Sequence, residues 1–218
     1  MIEFLNSVFG SFDKTIINSL LSLEQSAGVF FTPLAKIITL LGEKGLIFFG
    51  ASIILMLFTK TRRLGICMFG AVACGALRTN VILKDTICRI RPCHDQYALE
   101  YSILNFPDED GFSFPSGHMT AISSAMFALF LCANKKTSWI GLPFILVMGF
   151  ARVYLLAHYP SDVIAGIVVG LISSIIAYFI TKLIYFLLNK YKDNKFCNFV
   201  LNKGIILKKK NSENKESE

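Results

Sequence analysis

The chain has 218 residues, 54% of them hydrophobic and only 17% charged, with a mean hydropathy of +0.57. A water-soluble domain has about 45–50% apolar and about 25% charged residues, so this composition excludes a disordered chain, a secreted disulfide scaffold and most cytosolic enzymes. It fits a single all-α polytopic membrane domain, in which the placement of the +7 formal charge matters more than its sum.

In chain order, residues 12–23 come first. Ile16, Ile17, Leu20, Leu21 and Leu23 form a helical stripe that predicts a helix lying in the membrane interface. Residues 27–41 carry Pro33 and Lys36 and leave two readings open, a sixth broken span or a second interfacial helix. Apolar runs at 45–59, 64–83, 119–133, 139–156 and 163–188 predict five spans, since a hydrocarbon core needs about 20 apolar residues, fewer where flanking side chains snorkel. The expected organisation is N-terminal helices over 1–44, a transmembrane core over 45–188 and a basic tail over 189–218, giving five or six transmembrane helices. The first residues lack a basic stretch followed by an apolar core, so no cleavable signal peptide is expected.

The loops set an orientation. Lys60, Arg62 and Arg63, then Lys135 and Lys136, then the eight lysines from Lys190 onward fall on one side if five helices alternate. The positive-inside rule makes that side cytoplasmic, C-terminus included. The opposite side receives an acidic loop with Asp85, Asp95, Glu100, Asp108, Glu109 and Asp110. The tail, with Lys208 to Lys210 and the acidic Glu213, Glu216 and Glu218, reads as a solvated anchor drawn to anionic lipid. The six cysteines (67, 74, 88, 93, 132 and 197) match no zinc or thioredoxin spacing, and Cys88 and Cys93 are expected to remain thiols.

Three clusters at the outer side carry chemistry. Lys84 and Arg91 are seven apart and share a face if the helix continues, while Pro92 disfavours helix at Arg91. Two such cations suit a phosphate, Lys as a point charge and Arg as a fork. Pro115, Ser116, Gly117 and His118 precede an apolar helix, where free N–H groups and a glycine that admits an anion make an oxyanion site. Arg152, His158 and Asp162 form the third cluster. Asp162, four residues after His158, is placed to fold back on its imidazole and leave the other nitrogen as base or nucleophile.

In order and spacing these clusters resemble the signature of the type-2 phosphatidic acid phosphatase superfamily: Lys-x6-Arg-Pro, Pro-Ser-Gly-His and Arg-x5-His-x3-Asp. The resemblance covers about residues 45–188. It implies that Lys84, Arg91 and Arg152 bind phosphate oxygens and that Ser116 and the Gly117 N–H complete the cradle. His158 would be the nucleophile, Asp162 would orient it, and His118 would protonate the leaving oxygen. It implies no metal or cofactor. The expected partner is a lipid phosphate or diphosphate at the extracytoplasmic surface of the plasma membrane, undecaprenyl diphosphate first, rather than nucleic acid. Phosphatidic acid, phosphatidylglycerophosphate and phosphotransfer to an alcohol are the alternatives within the enzyme class, and a non-enzymatic lipid carrier is the alternative outside it.

The family usually has Ser where this chain has Ala151, which removes a secondary hydrogen bond. His94, Asp108, Glu109 and Asp110 read as solvated loop residues, and Arg89 as a clamp on loop carboxylates. Arg78 inside a span is either a snorkelling anchor or an interior partner. Gly166 and Gly170, four apart, predict close helix packing within one bundle.

Overall fold

The computed structural model describes residues 2–42, 45–95, 97, 110–133 and 138–202. The expectations for Glu100, Asp108, Glu109, Lys135, Lys136 and the end of the tail from Lys203 lie outside the described residues. In chain order the elements are α1 (Ile2–Leu41), α2 (Leu46–Leu57), α3 (Arg62–Leu77), a π-turn (Arg78–Leu83), α4 (Lys84–Ile87) and a 3-10 turn (Pro92–His94). They continue with α5 (Gly117–Cys132), α6 (Gly141–Tyr154), α7 (Pro160–Lys190) and α8 (Lys195–Asn202).

A helix occupies each of the five apolar runs. Among the described residues, two helical runs are long and apolar enough to cross a membrane: Arg62–His94 and α7. The helices α2, α5 and α6 are apolar but shorter, with 12, 16 and 14 residues. At 1.5 Å per residue they reach only about 18 to 24 Å.

Contacts at the two ends show that these helices alternate in direction. At one end Arg62 Nε donates to the Met56 carbonyl at 2.9 Å, Arg62 Nη1 donates to the Val200 carbonyl, and Arg63 lies 5.9 Å from the Tyr185 ring. At the other end the Ser116 N–H donates to the Asp162 carbonyl at 3.1 Å, joining the starts of α5 and α7. The Cys93 N–H donates to the Leu156 carbonyl at 3.1 Å, joining the segment after α4 to the end of α6. Gly45, in the left-handed region at φ 69°, turns the chain into α2 there, where an added Cβ would stand 2.8 Å from the Ala121 Cβ.

Residues 2–42 make several contacts at this second end. Asp13 bonds to Ser161 at the start of α7, Thr32 Oγ1 lies 2.9 Å from the Tyr154 hydroxyl at the end of α6, and a Cβ on Gly42 would stand 3.6 Å from His118 Cδ2. The predicted stripe over 12–23 and the segment 27–41 are both helical, two helices joined at a kink at Ala27 (φ −142°, ψ 20°). The rows of the first separate by helical spacing: Leu5, Asp13 and Ile17 are buried, while Phe4, Val8 and Phe12 are exposed.

Small residues let α5 and α7 touch. A Cβ on Gly166 would meet Met119 Cβ and the Ser116 carbonyl at 2.8 Å, and one on Gly170 would come within 2.6 Å of Ser123 Cβ. Ser174 Oγ donates to the Ser124 carbonyl at 2.8 Å across the same seam. Close backbone approach with interhelical hydrogen bonds replaces the hydrophobic driving force that helices lose in lipid. This packing is within the chain, as the spacing of the two glycines predicts. The exterior is apolar: Ile164, Val168, Ile172, Phe179, Leu183 and Phe186 lie exposed along α7 alone. A soluble monomer rarely exposes so continuous an apolar surface.

Candidate active site

The first cluster departs from its expected geometry. Thr79 is buried in the π-turn, where its hydroxyl donates to Thr120 Oγ1 of α5 at 3.0 Å. The turn carries Lys84 one helical turn beyond Asn80, whose Oδ1 lies 3.6 Å from where a Gly117 Cβ would stand. The helix does not run on to Arg91. It ends at Cys88, which takes the left-handed conformation (φ 53°) and donates its N–H to the Lys84 carbonyl at 2.9 Å. Residues 89 to 91 are irregular, and Arg91 has the extended backbone (φ −75°, ψ 152°) that Pro92 imposes.

Arg91 is nevertheless fixed at the junction, by carbonyls. Its Nε donates to the Gly111 carbonyl at 2.9 Å, Nη2 to the Asp110 carbonyl at 3.0 Å and Nη1 to the Ala157 carbonyl at 2.9 Å. The same Nη1 stands 3.4 Å from His158 Nε2. The three tethers use the planar fork of guanidinium, which an ammonium lacks.

His158 lies between α6 and α7, 1% exposed. Its Nδ1 is 2.8 Å from the Ser113 carbonyl oxygen. A carbonyl can only accept, so Nδ1 carries the proton and Nε2 presents a lone pair toward Arg91. The residue expected at Nδ1, Asp162, has Oδ2 at 3.8 Å, beyond hydrogen-bond reach. Asp162 is engaged elsewhere: Oδ2 accepts from the Tyr159 N–H at 2.8 Å, capping α7, and Oδ1 accepts from Arg89 Nη1 at 2.7 Å.

Arg89 does clamp carboxylates, but buried ones on α1 and α7 rather than those of the loop. Its Nη2 meets Asp13 Oδ2 at 2.8 Å, and its guanidinium lies 4.0 Å over the Tyr159 ring. Burial raises the Tyr159 phenol above its ordinary pKa, helped by the Asp95 carboxylate that its hydroxyl meets at 3.3 Å, so that hydroxyl stays a donor.

The second cluster sits directly against the third. Ser116 caps α5, its Oγ accepting from the Met119 N–H at 3.4 Å, and the Gly117 and His118 that follow open the helix beside α7. Arg152 is fully buried in the last turn of α6, its carbonyl accepting the N–H groups of Ala157 and His158 at 3.2 and 3.3 Å. Ala151 is also fully buried, packed in the apolar cluster of Tyr154 and Leu155. His94 is exposed on the 3-10 turn, and Cys88 and Cys93 are not joined in a disulfide.

Two site groups had no place in the sequence reading. The Ser113 carbonyl has no side-chain signal, since any residue supplies one. Asp13 did leave a signal: it falls four residues before Ile17, on the row that the stripe places inward.

Comparison with known proteins places the chain in a family. The PAP2 superfamily matches residues 60–185, and the chain belongs to that superfamily. A lipid A 1-phosphatase of Rhizobium johnstonii is 37% identical over 49% of this chain and 43% of its own length. An undecaprenyl-diphosphatase of Sulfolobus acidocaldarius is 29% identical over 54% and 55%. A decaprenylphosphoryl-5-phosphoribose phosphatase of Mycobacterium tuberculosis is 33% identical over 46% and 52%. The chain thus spans about half the length of the curated relatives it matches. No solved structure matches it significantly.

Proposed function

We propose that this chain is a membrane lipid phosphatase that works through a phosphohistidine on His158. The observation that carries the reading is the imidazole: Nδ1 donates to the Ser113 carbonyl, so the Nε2 lone pair is directed toward the tethered Arg91, 3.4 Å away. In the first step the Nε2 lone pair attacks phosphorus as the bond to the leaving oxygen breaks, and His118 supplies the proton that oxygen takes. In the second step His118 accepts a proton from water, whose oxygen attacks phosphorus and expels the imidazole. Inorganic phosphate leaves and His158 returns to its starting tautomer. Lys84, Arg91 and Arg152 bind the non-bridging oxygens with Ser116 and the Gly117 N–H, so charge stabilisation comes from protein cations and dipoles. Asp162 acts on His158 from 3.8 Å, as a nearby negative charge and through the helix start that it caps.

The domain that performs this spans residues 45–188, with five crossings. The helix α1 rests on the outer surface, because all its contacts named above are with the site end of the bundle. Lys60, Arg62, Arg63 and Lys190 lie at the opposite end, which the positive-inside rule assigns to the cytoplasm together with the basic tail over 189–218. The site then faces outward at headgroup height in the plasma membrane.

The preferred substrate is undecaprenyl diphosphate, cleaved to the monophosphate. Supporting it, the undecaprenyl-diphosphatase relative aligns over the largest share of this chain among the three named above. A lipid A phosphate is the second reading, favoured by the 37% identity to the lipid A 1-phosphatase. The test is phosphate release by the purified chain, with chelator present, from undecaprenyl diphosphate, lipid A, phosphatidic acid and phosphatidylglycerophosphate. The expected result is the highest kcat/KM on undecaprenyl diphosphate and none in His158→Ala. Release abolished by chelator, or retained by His158→Ala, would overturn the mechanism. A lipid carrier would release phosphate from none of the four.

A further inference from the structure

Behind His158 lies a buried ion cluster in which Asp162 is joined by two groups, Asp13 and Arg89, that the two chemical steps leave unused. Asp13 of α1 is 2% exposed, Arg89 3% and Asp162 0%. Arg89 places one Nη on each carboxylate, at 2.8 Å to Asp13 and 2.7 Å to Asp162. Asp13 also accepts from the Ser161 N–H on Oδ1 at 2.8 Å and from the Ser161 hydroxyl on Oδ2 at 2.6 Å. Arg89 Nη1 donates to that same hydroxyl at 2.8 Å.

We infer that Asp13 is a positioning residue for the reaction: from the N-terminal helix it fixes the start of α7, and with it the Asp162 carboxylate and the His158 ring. The inference rests on the reading of His158 as the phosphoryl acceptor.

Arg89 alone would neutralise Asp162. A second carboxylate inside the protein is costly unless its lone pairs are filled, and here three donors fill them. What the second carboxylate adds is geometry. The first N–H groups of a helix have no partner within it, and a carboxylate there is favoured by the helix dipole. The α7 start is capped twice, by its own Asp162 on the Tyr159 N–H and by Asp13 on the Ser161 N–H. His158 immediately precedes Tyr159, so a tilt of this turn moves the imidazole relative to Arg91 and the cradle. Asp13 also lies outside residues 60–185, so the superfamily segment takes this part of its support from α1.

The test uses the full chain in detergent with undecaprenyl diphosphate as substrate and orthovanadate as a phosphate mimic. A shift of about 1 Å at a reacting group costs about 100-fold, so Asp13→Asn is expected to lower kcat by about 10- to 100-fold. KM and the vanadate inhibition constant should stay within about threefold, because the oxygen-binding cations are untouched. Single-turnover labelling should show slower phosphohistidine formation. The milder Ser161→Ala, which keeps the Asp13 bond to the Ser161 N–H, should lower kcat by a smaller factor in the same pattern.

Charge supplies a second readout. Arg89→Gln leaves two facing buried carboxylates, so adding Asp13→Asn to it should recover part of the lost rate. Asp13→Asn and Ser161→Ala both at the wild-type kcat would overturn the inference, as would loss of vanadate binding in parallel with rate in both. If Asp13→Asn fails to fold, Ser161→Ala decides. Failure of the underlying reading looks different: wild type would release no phosphate, or His158→Ala would keep its rate, and either result takes this inference down with it.

Discussion

The Ser113 carbonyl oxygen accepts the His158 Nδ1 proton at 2.8 Å, the place that the spacing of the third cluster assigns to Asp162. The exchange follows from the local backbone. Ser113 is brought under the imidazole because its N–H donates to the Arg89 carbonyl at 2.8 Å, pinning the segment before α5 to the segment before Arg91. Asp162 is meanwhile occupied by the Tyr159 N–H and by Arg89. The tautomer of His158 is thus set by main chain, and Asp162 contributes charge and helix position.

It follows that Asp162→Asn should be less harmful than His158→Ala. The asparagine oxygen can still cap Tyr159, and Ser113 still holds the tautomer, so the loss is electrostatic and positional. We expect kcat to fall by about 10- to 100-fold while phosphohistidine still forms in a single turnover. If Asp162→Asn formed no phosphoenzyme at all, as expected of His158→Ala, the tautomer would depend on the carboxylate after all.

Arg91→Lys should be severe although the charge is kept. Three backbone carbonyls hold the guanidinium through three different nitrogens. A lysine has one nitrogen and cannot meet those on opposite sides at once. The expected loss in kcat/KM is at least about 100-fold, the scale of a misplaced group at a reacting centre. Steady-state kinetics on undecaprenyl diphosphate checks this, and a loss below threefold would show that a point charge suffices.

The parts of this site that were legible in the sequence were those whose chemistry depends on side chains at fixed spacing. Lys84, Arg91, Ser116, Gly117, His118, Arg152, His158 and Asp162 stand out because their spacing suits a phosphate, and the fold brings Arg91, Ser116, His158 and Asp162 together, though Arg91 leaves the helix and Asp162 turns away from the imidazole. The five apolar runs were legible for a similar reason, since lipid demands unbroken apolar helix. The π-turn at Arg78–Leu83 was not, because no residue type specifies it and tertiary contacts such as Thr79 to Thr120 hold it. Nor was the end of α4, since Cys88 takes a left-handed conformation that sequence alone assigns to glycine or asparagine. The Arg89 partners required knowing that α1 folds back over the site, a long-range fact that the 12–23 stripe could hint at only through Asp13 on its inward row.

The seam between α5 and α7 sets a stability test with its own control. A Cβ at Gly170 would stand 2.6 Å from Ser123 Cβ and 2.8 Å from the Ser124 nitrogen, with backbone on one side that cannot yield. Gly170→Val should therefore destabilise by about 1–3 kcal/mol, the usual cost of overpacking, and lower the melting temperature in detergent. Gly10 on α1 has nothing within 4 Å of its Cβ position. Gly10→Ala should leave melting unchanged or raise it, since alanine favours a helix over glycine by about 0.5–1 kcal/mol. Equal effects at the two positions would contradict the close approach of α5 and α7.

The proposed orientation places Asp85 and Phe199 on opposite sides of the membrane, and both are exposed in the fold. Asp85 follows Lys84 at the site end, whereas Phe199 lies on α8, which Arg62 ties to the opposite end through the Val200 carbonyl. In a chain whose six native cysteines are replaced, Asp85→Cys should react with a membrane-impermeant maleimide in intact cells. Phe199→Cys should react only after permeabilisation. The argument is electrostatic: Arg62, Arg63, Lys190, Lys192 and Lys195 all cluster near the α8 end, and translocating that many cations is disfavoured. Labelling of Phe199→Cys in intact cells, with Asp85→Cys protected, would invert the chain in the membrane and put the proposed site in the cytoplasm.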